Sequence, residues 1–174
     1  MKRKNFIRMV ATLCLYCLRN MAYYRAGWNE GSLKRRTQFW VGVNGNFIDI
    51  CVLEWCKLFG DLRGKHSWKR SVSDPESFLD GLLKDLVLAE DDFNAYIMEM
   101  RTYRDKYVAH LDSFEKIHRP KLDIAKKSVI YLYNYLLKHE DQGGYFIDAP
   151  RDVSKFYDDA FKEGLSEYRN ASTT

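Results

Sequence analysis

Apolar residues recur at steps of three and four along nearly the whole chain, and no stretch alternates in period two for long enough to make a strand. The pattern predicts a run of helices. The first runs from about Asn5 to Arg25 and stops near Gly27. The second runs from Leu33 to Phe59, with Trp40, Val43, Phe47, Ile50, Cys51, Trp55 and Leu58 as its inner residues. Its second half is apolar nearly all round, which predicts the central helix of the fold. Asn44-Gly45 in its middle is a turn signal and leaves a kink or a break open there.

Residues 60–72 read as a loop. Ser73 and Glu76 are spaced as a capping box with Pro75 between them, so a short helix should follow, burying Phe78, Leu79, Leu82, Leu83 and Leu86. Asp91 and Asp92 open the next helix, which reaches about His110 with Phe93, Ile97, Met100, Tyr107 and Leu111 as its stripe. Pro120 punctuates a loop. Leu122, Ala125, Val129, Leu132 and Leu136 then mark a helix from Lys121 to His139, ended by Gly143-Gly144. The last helix runs from Val153 to Tyr168. Together these predict an all-α bundle of five or six helices, with residues 1–174 as one domain.

Composition fits a folded chain: 174 residues, 15% aromatic, and only three prolines. The net charge of +4 hides a division. Residues 1–70 hold 14 Lys/Arg against 4 Asp/Glu, and residues 71–174 hold 14 against 20. The basic half suits a polyanion, and it equally suits packing against the acidic half. Lys2, Arg3 and Lys4 before an apolar run look like the start of a secretory signal. However, Arg8 and Arg19 flank the run closely, no small-x-small site follows, and it falls short of the roughly 20 residues a membrane span needs. We read it as the first amphipathic helix of a cytoplasmic protein with no membrane contact. Cys14, Cys17, Cys51 and Cys56 sit in apolar runs without knuckle glycines, so they read as core residues rather than a metal site.

One segment departs from the bundle pattern. Arg104 falls on the apolar stripe of its helix, where a charge is costly unless it is paired. Asp105 follows it and His110 lies six positions on, roughly 120° away on a straight helix. A permanent cation and an imidazole are what phosphate chemistry needs. One copy of the helix does not aim both at one atom. Convergence requires either an early end to the helix or a second protomer across a two-fold axis. The plainer alternative is a structural ion pair for Arg104, with Glu99 or Arg101 nearby, and a helix-end role for His110.

Arg-x5-His with a polar residue after the arginine resembles the signature of the HEPN superfamily. The segments Leu53-Glu54-Trp55-Cys56-Lys57-Leu58-Phe59, His66-Ser67-Trp68-Lys69 and Tyr103 to Asp112 are similar to its abortive-infection branch, over about residues 35–140. The resemblance favours a continuous second helix through Asn44-Gly45. It implies a homodimeric, metal-independent endoribonuclease of a phage-defence or toxin–antitoxin system, acting on RNA without a cofactor and answering to an antitoxin or sensor protein. Arg104 would hold the scissile phosphate, His110 would move protons, and Asp105 would orient its neighbours. The products would be a 2′,3′-cyclic phosphate and a 5′-hydroxyl. No acidic cluster in the sequence looks like a two-metal site, in keeping with a metal-free route. Some members carry a tyrosine two residues after the histidine as a modification site; this chain has Asp112 there and departs from that mode of silencing. Lys65, His66, Trp68, Lys69, Arg70 and Lys106 are the candidate RNA contacts, because cations beside an aromatic suit backbone binding and base stacking. A solvated loop with one anchoring tryptophan is the alternative for the 65–70 group. A catalytically silent module that binds RNA or protein is the alternative for the whole chain.

Overall fold

A computed structural model describes residues 2–29, 32–109, 118–141 and 143–170. Among them are seven helices: α1 (Arg3–Ala26), α2 (Gln38–Trp55), α3 (Trp68–Ser71), α4 (Pro75–Leu86), α5 (Glu90–Tyr103), α6 (Asp123–Tyr135) and α7 (Val153–Asn170). A two-residue antiparallel pairing, Trp28 opposite Leu33 and Asn29 opposite Ser32, closes the turn between α1 and α2. The count exceeds the expected five or six. The addition includes α3, whose four residues are too few to show a hydrophobic period. Among the described residues, no helix is long and apolar enough to cross a membrane.

The centre of the bundle is α1, not α2. Ile7, Val10, Cys14, Cys17, Leu18 and Met21 are fully buried along it, and α2, α6 and α7 all pack on it. Its small residues let neighbours close in. A Cβ added at Gly164 of α7 would lie 2.9 Å from the Cβ of Ala26, so only glycine fits where these helices meet. By contrast, α2 is half surface: Phe39 is 69% exposed and Ile50, expected inside, is 41% exposed. Its second half is core, with Ile48, Cys51, Val52 and Trp55 buried.

The helix runs unbroken through Asn44-Gly45 because the Asn44 side chain is tied down inside the fold. It accepts from Trp28 Nε1 at 3.1 Å and donates to the Tyr24 carbonyl at 3.0 Å and to the Tyr168 hydroxyl at 3.1 Å. A buried amide with these bonds satisfied is stable where a free one would be costly. The four cysteines are buried thiols. Cys17 and Cys51 lie 3.9 Å apart, sulfur to sulfur, across the contact between α1 and α2.

Trp55 anchors the core beneath α5. Its ring stacks on Phe59 and meets Phe93 and Tyr96 edge-on, and its Nε1 donates to Ser128 Oγ of α6 at 3.0 Å. Three helices end in a wider π-helical turn: α2 over Cys56–Gly60, α5 over Arg104–Ala109 and α6 over Leu136–Glu140. Glu140, at the end of the last of these, is 1% exposed and accepts from the backbone N–H and hydroxyl of Ser73. Ser73 is therefore not the cap of α4. Asp74 takes that place and accepts from the Ser77 N–H at 3.0 Å, with Pro75 in the first turn.

Candidate functional site

The stripe on α5 buries Phe93, Ile97 and Met100, and Arg104 follows on the same face where the helix widens. The side chain of Arg104 is 17% exposed. Its Nε donates to Asp105 Oδ1 at 2.8 Å and its Nη1 to Asp61 Oδ1 at 2.7 Å. The hydrogen bond to Asp105 raises the guanidinium pKa further above its ordinary value; burial opposes this and Asp61 adds to it. The cation is permanent and its plane is fixed by two carboxylates. Asp105 comes from the next position along the chain. Asp61 comes from the loop after α2, a partner no helical spacing on α5 predicts. Both carboxylates are solvent-facing, at 40% and 54% exposure, so each pair contributes about 0–1 kcal/mol to stability. The arrangement costs little to open.

Asp61 also stands on the wall of a cavity of about 490 Å³ between the loop and α5. Gly60, Arg63, Asn94, Met98 and Arg101 complete the part that matters chemically. Arg101 lies one turn before Arg104. Its Nε is buried and has no hydrogen-bond partner among the described residues. A buried donor without an acceptor costs about 1–3 kcal/mol, which an anion in the cavity would recover. Under this wall lies Cys56. Burial pushes its thiol up to about 12, and the nearby Arg104 charge only partly offsets this. The thiol is neutral near pH 7 and is no nucleophile.

The sequence-predicted contacts separate. Arg104 and Asp105 are joined directly. His110 lies outside the described residues, as do Leu111 and Asp112. Lys106 is exposed on the turn after Arg104. Lys65 and Arg70 line a different cavity, shared with Arg3 and Phe6 of α1. His66 is half-buried between these groups, and its pKa is lowered, first by burial and then by Lys65 and Lys57. Trp68 is a correction: at 2% exposure it stacks on Phe78 with centroids 4.8 Å apart, so no base reaches its face. Cations beside an aromatic give the same sequence whether the ring faces solvent or core, and here the core takes the ring. Lys69 is what the indole holds outward, its ammonium 5.5 Å from the ring centroid.

Asp61, Arg63, Asn94 and Arg101 were not singled out from sequence as site residues. Arg101 carried one usable signal, its place three residues before Arg104 on the same helix. Asp61 carried none, because its role depends on where the loop returns. Compared with protein-family models, curated proteins and solved structures, the chain matches none.

Proposed function

We propose that the protein is a HEPN-type, metal-independent endoribonuclease that acts as a homodimer. The observation that supports this is the Arg104 arrangement: a permanent cation with its plane preset, on the edge of a cavity that holds a second guanidinium short of an acceptor. A phosphate entering the cavity displaces the exposed Asp61 carboxylate and takes its donor. In the reaction the 2′-oxygen attacks the adjacent phosphorus, the bond from phosphorus to the 5′-oxygen breaks, and the leaving oxygen takes up a proton. Arg104 stabilises the charge that builds on the non-bridging oxygens. His110 serves as the group that removes or returns the proton, a contribution of about 10² to 10⁴ in rate. The second protomer packs along the motif helix, where Met98 and Leu62 expose apolar surface beside the cavity at 57% and 46%.

One observation favours a second reading, a silent module that binds RNA or a protein partner. Arg104 is matched by two carboxylates, so the trio carries a net negative charge that an RNA phosphate has to overcome. The two readings separate in one assay. Purified protein is incubated with RNA in EDTA, beside Arg104→Ala and His110→Ala. Cleavage by the wild type alone, leaving 2′,3′-cyclic phosphate ends, establishes the nuclease. Three equally folded proteins that bind RNA without cutting it establish the module.

A further inference from the structure

The basic first half of the chain concentrates on one place. The start of α1 lies against the turn between α3 and α4, and Arg3 is fixed there by a single nitrogen. Its Nη2 donates to Glu140 Oε2 at 2.6 Å, to Ser73 Oγ at 3.1 Å and to the Ser71 carbonyl at 3.3 Å. Its Nε and Nη1 have no partner among the described residues. The guanidinium is thus anchored by one corner and presents its other donors. Beside it are Lys65 and Arg70, neither ion-paired among the described residues, and the half-buried ring of Phe6. These four line a cavity of about 410 Å³ with no carboxylate on its wall. The nearest acid that the bonds reveal, Glu140, is 1% exposed and already holds Arg3 and Ser73. Three cations with unused donors, one of them held rigidly, form an anion site; the aromatic beside them suits a ligand that carries a base as well as a phosphate.

The loop after α2 relates the two cavities. Gly60 to Gly64 line the cavity beside Arg104, and Lys65, the next residue, lines the basic one. A single strand following this loop meets both.

We propose that the cavity of Arg3, Phe6, Lys65 and Arg70 is a phosphate subsite for a single-stranded ribonucleotide chain, with Phe6 against the neighbouring base. It shares with the nuclease reading only the RNA ligand, and no part of it runs through Arg104.

The test is binding of a short 2′-O-methyl oligonucleotide, which lacks the attacking hydroxyl and is not cut. It is prepared with and without a 5′-phosphate and titrated against wild type, Arg104→Ala, and the double variant Lys65→Gln/Arg70→Gln. Both substituted side chains are solvent-facing, so the double variant keeps its fold, as thermal melting will verify. The double variant should bind at least about tenfold more weakly, and the slope of affinity against salt should fall by about two, one for each lost phosphate contact. Arg104→Ala should bind within about a factor of three of wild type. Preference for the phosphorylated strand, with competition by inorganic phosphate, assigns the cavity to a chain end; equal binding of both strands assigns it to an internal phosphate. Affinity and salt slope unchanged in the double variant, or no binding by the wild type, overturn the proposal. Failure of the nuclease reading looks different: no RNA is cut, while the double variant still loses affinity.

Discussion

The two ends of the loop between α2 and α4 are built on opposite principles. At the first end, Asp61 to Gly64 are held by ion pairs whose carboxylates face solvent, over a cavity with an unsatisfied arginine nitrogen. At the second end, Ser67, Trp68, Ser71 and Val72 are buried, and a buried glutamate clamps Ser73. Few residues separate a segment that can open at small cost from one that cannot. A site that exchanges a carboxylate for a phosphate needs the first kind, and it needs the second kind to keep the backbone still.

The largest effect that would break this comparison lies at the buried end. Trp68→Ala removes a ring stacked on Phe78 and should cost about 3–5 kcal/mol in chemical denaturation. A cost near zero would return Trp68 to the surface and to base stacking. Next is Arg3→Ala, which leaves the Glu140 carboxylate with only Ser73. Because Arg3 is 45% exposed, the expected loss is about 1–3 kcal/mol rather than that of a fully buried pair. At the open end, Arg104→Ala should change stability by no more than about 1 kcal/mol while lowering RNA cleavage by about a hundredfold or more. A large stability loss there would make Arg104 a structural ion pair. The smallest effect is at His66. Burial lowers its pKa below the ordinary 6.5, so the unfolded chain binds the proton more readily. Its contribution to stability is present above pH 6.5 and is lost as pH falls through the folded-state value. His66→Gln should flatten that part of the stability profile, and an NMR titration of the wild type should place the midpoint below 6.5.

What the sequence revealed depended on whether the relevant contacts repeat locally. Leu122, Ala125, Val129, Leu132 and Leu136 recur at helical steps, and all are buried as that period requires. Arg104 stood out for the same reason, as a charge on an apolar stripe. The choice of central helix failed because apolar content was used as a measure of position. The bundle forms around α1, whose alanines and cysteines let α2 and α7 approach, while Ile50 and Phe39 of α2 stay outside. Asp61 and Arg3 could not be assigned beforehand. Each acts on a residue far away along the chain, at the end of an element whose direction is set by packing rather than by its own sequence.

The buried amide of Asn44 has a consequence for chemical ageing. An asparagine followed by glycine cyclises when the glycine nitrogen attacks the side-chain carbonyl carbon, and this step frees ammonia. The attack needs an extended, mobile backbone and a free side chain. Here the backbone is helical, and the side chain is bonded to Trp28, Tyr24 and Tyr168. Folding therefore shields a bond that the loose chain would lose. The fraction of Asn44 converted to aspartate in a stored sample records the time its molecules have spent with this corner of the bundle open.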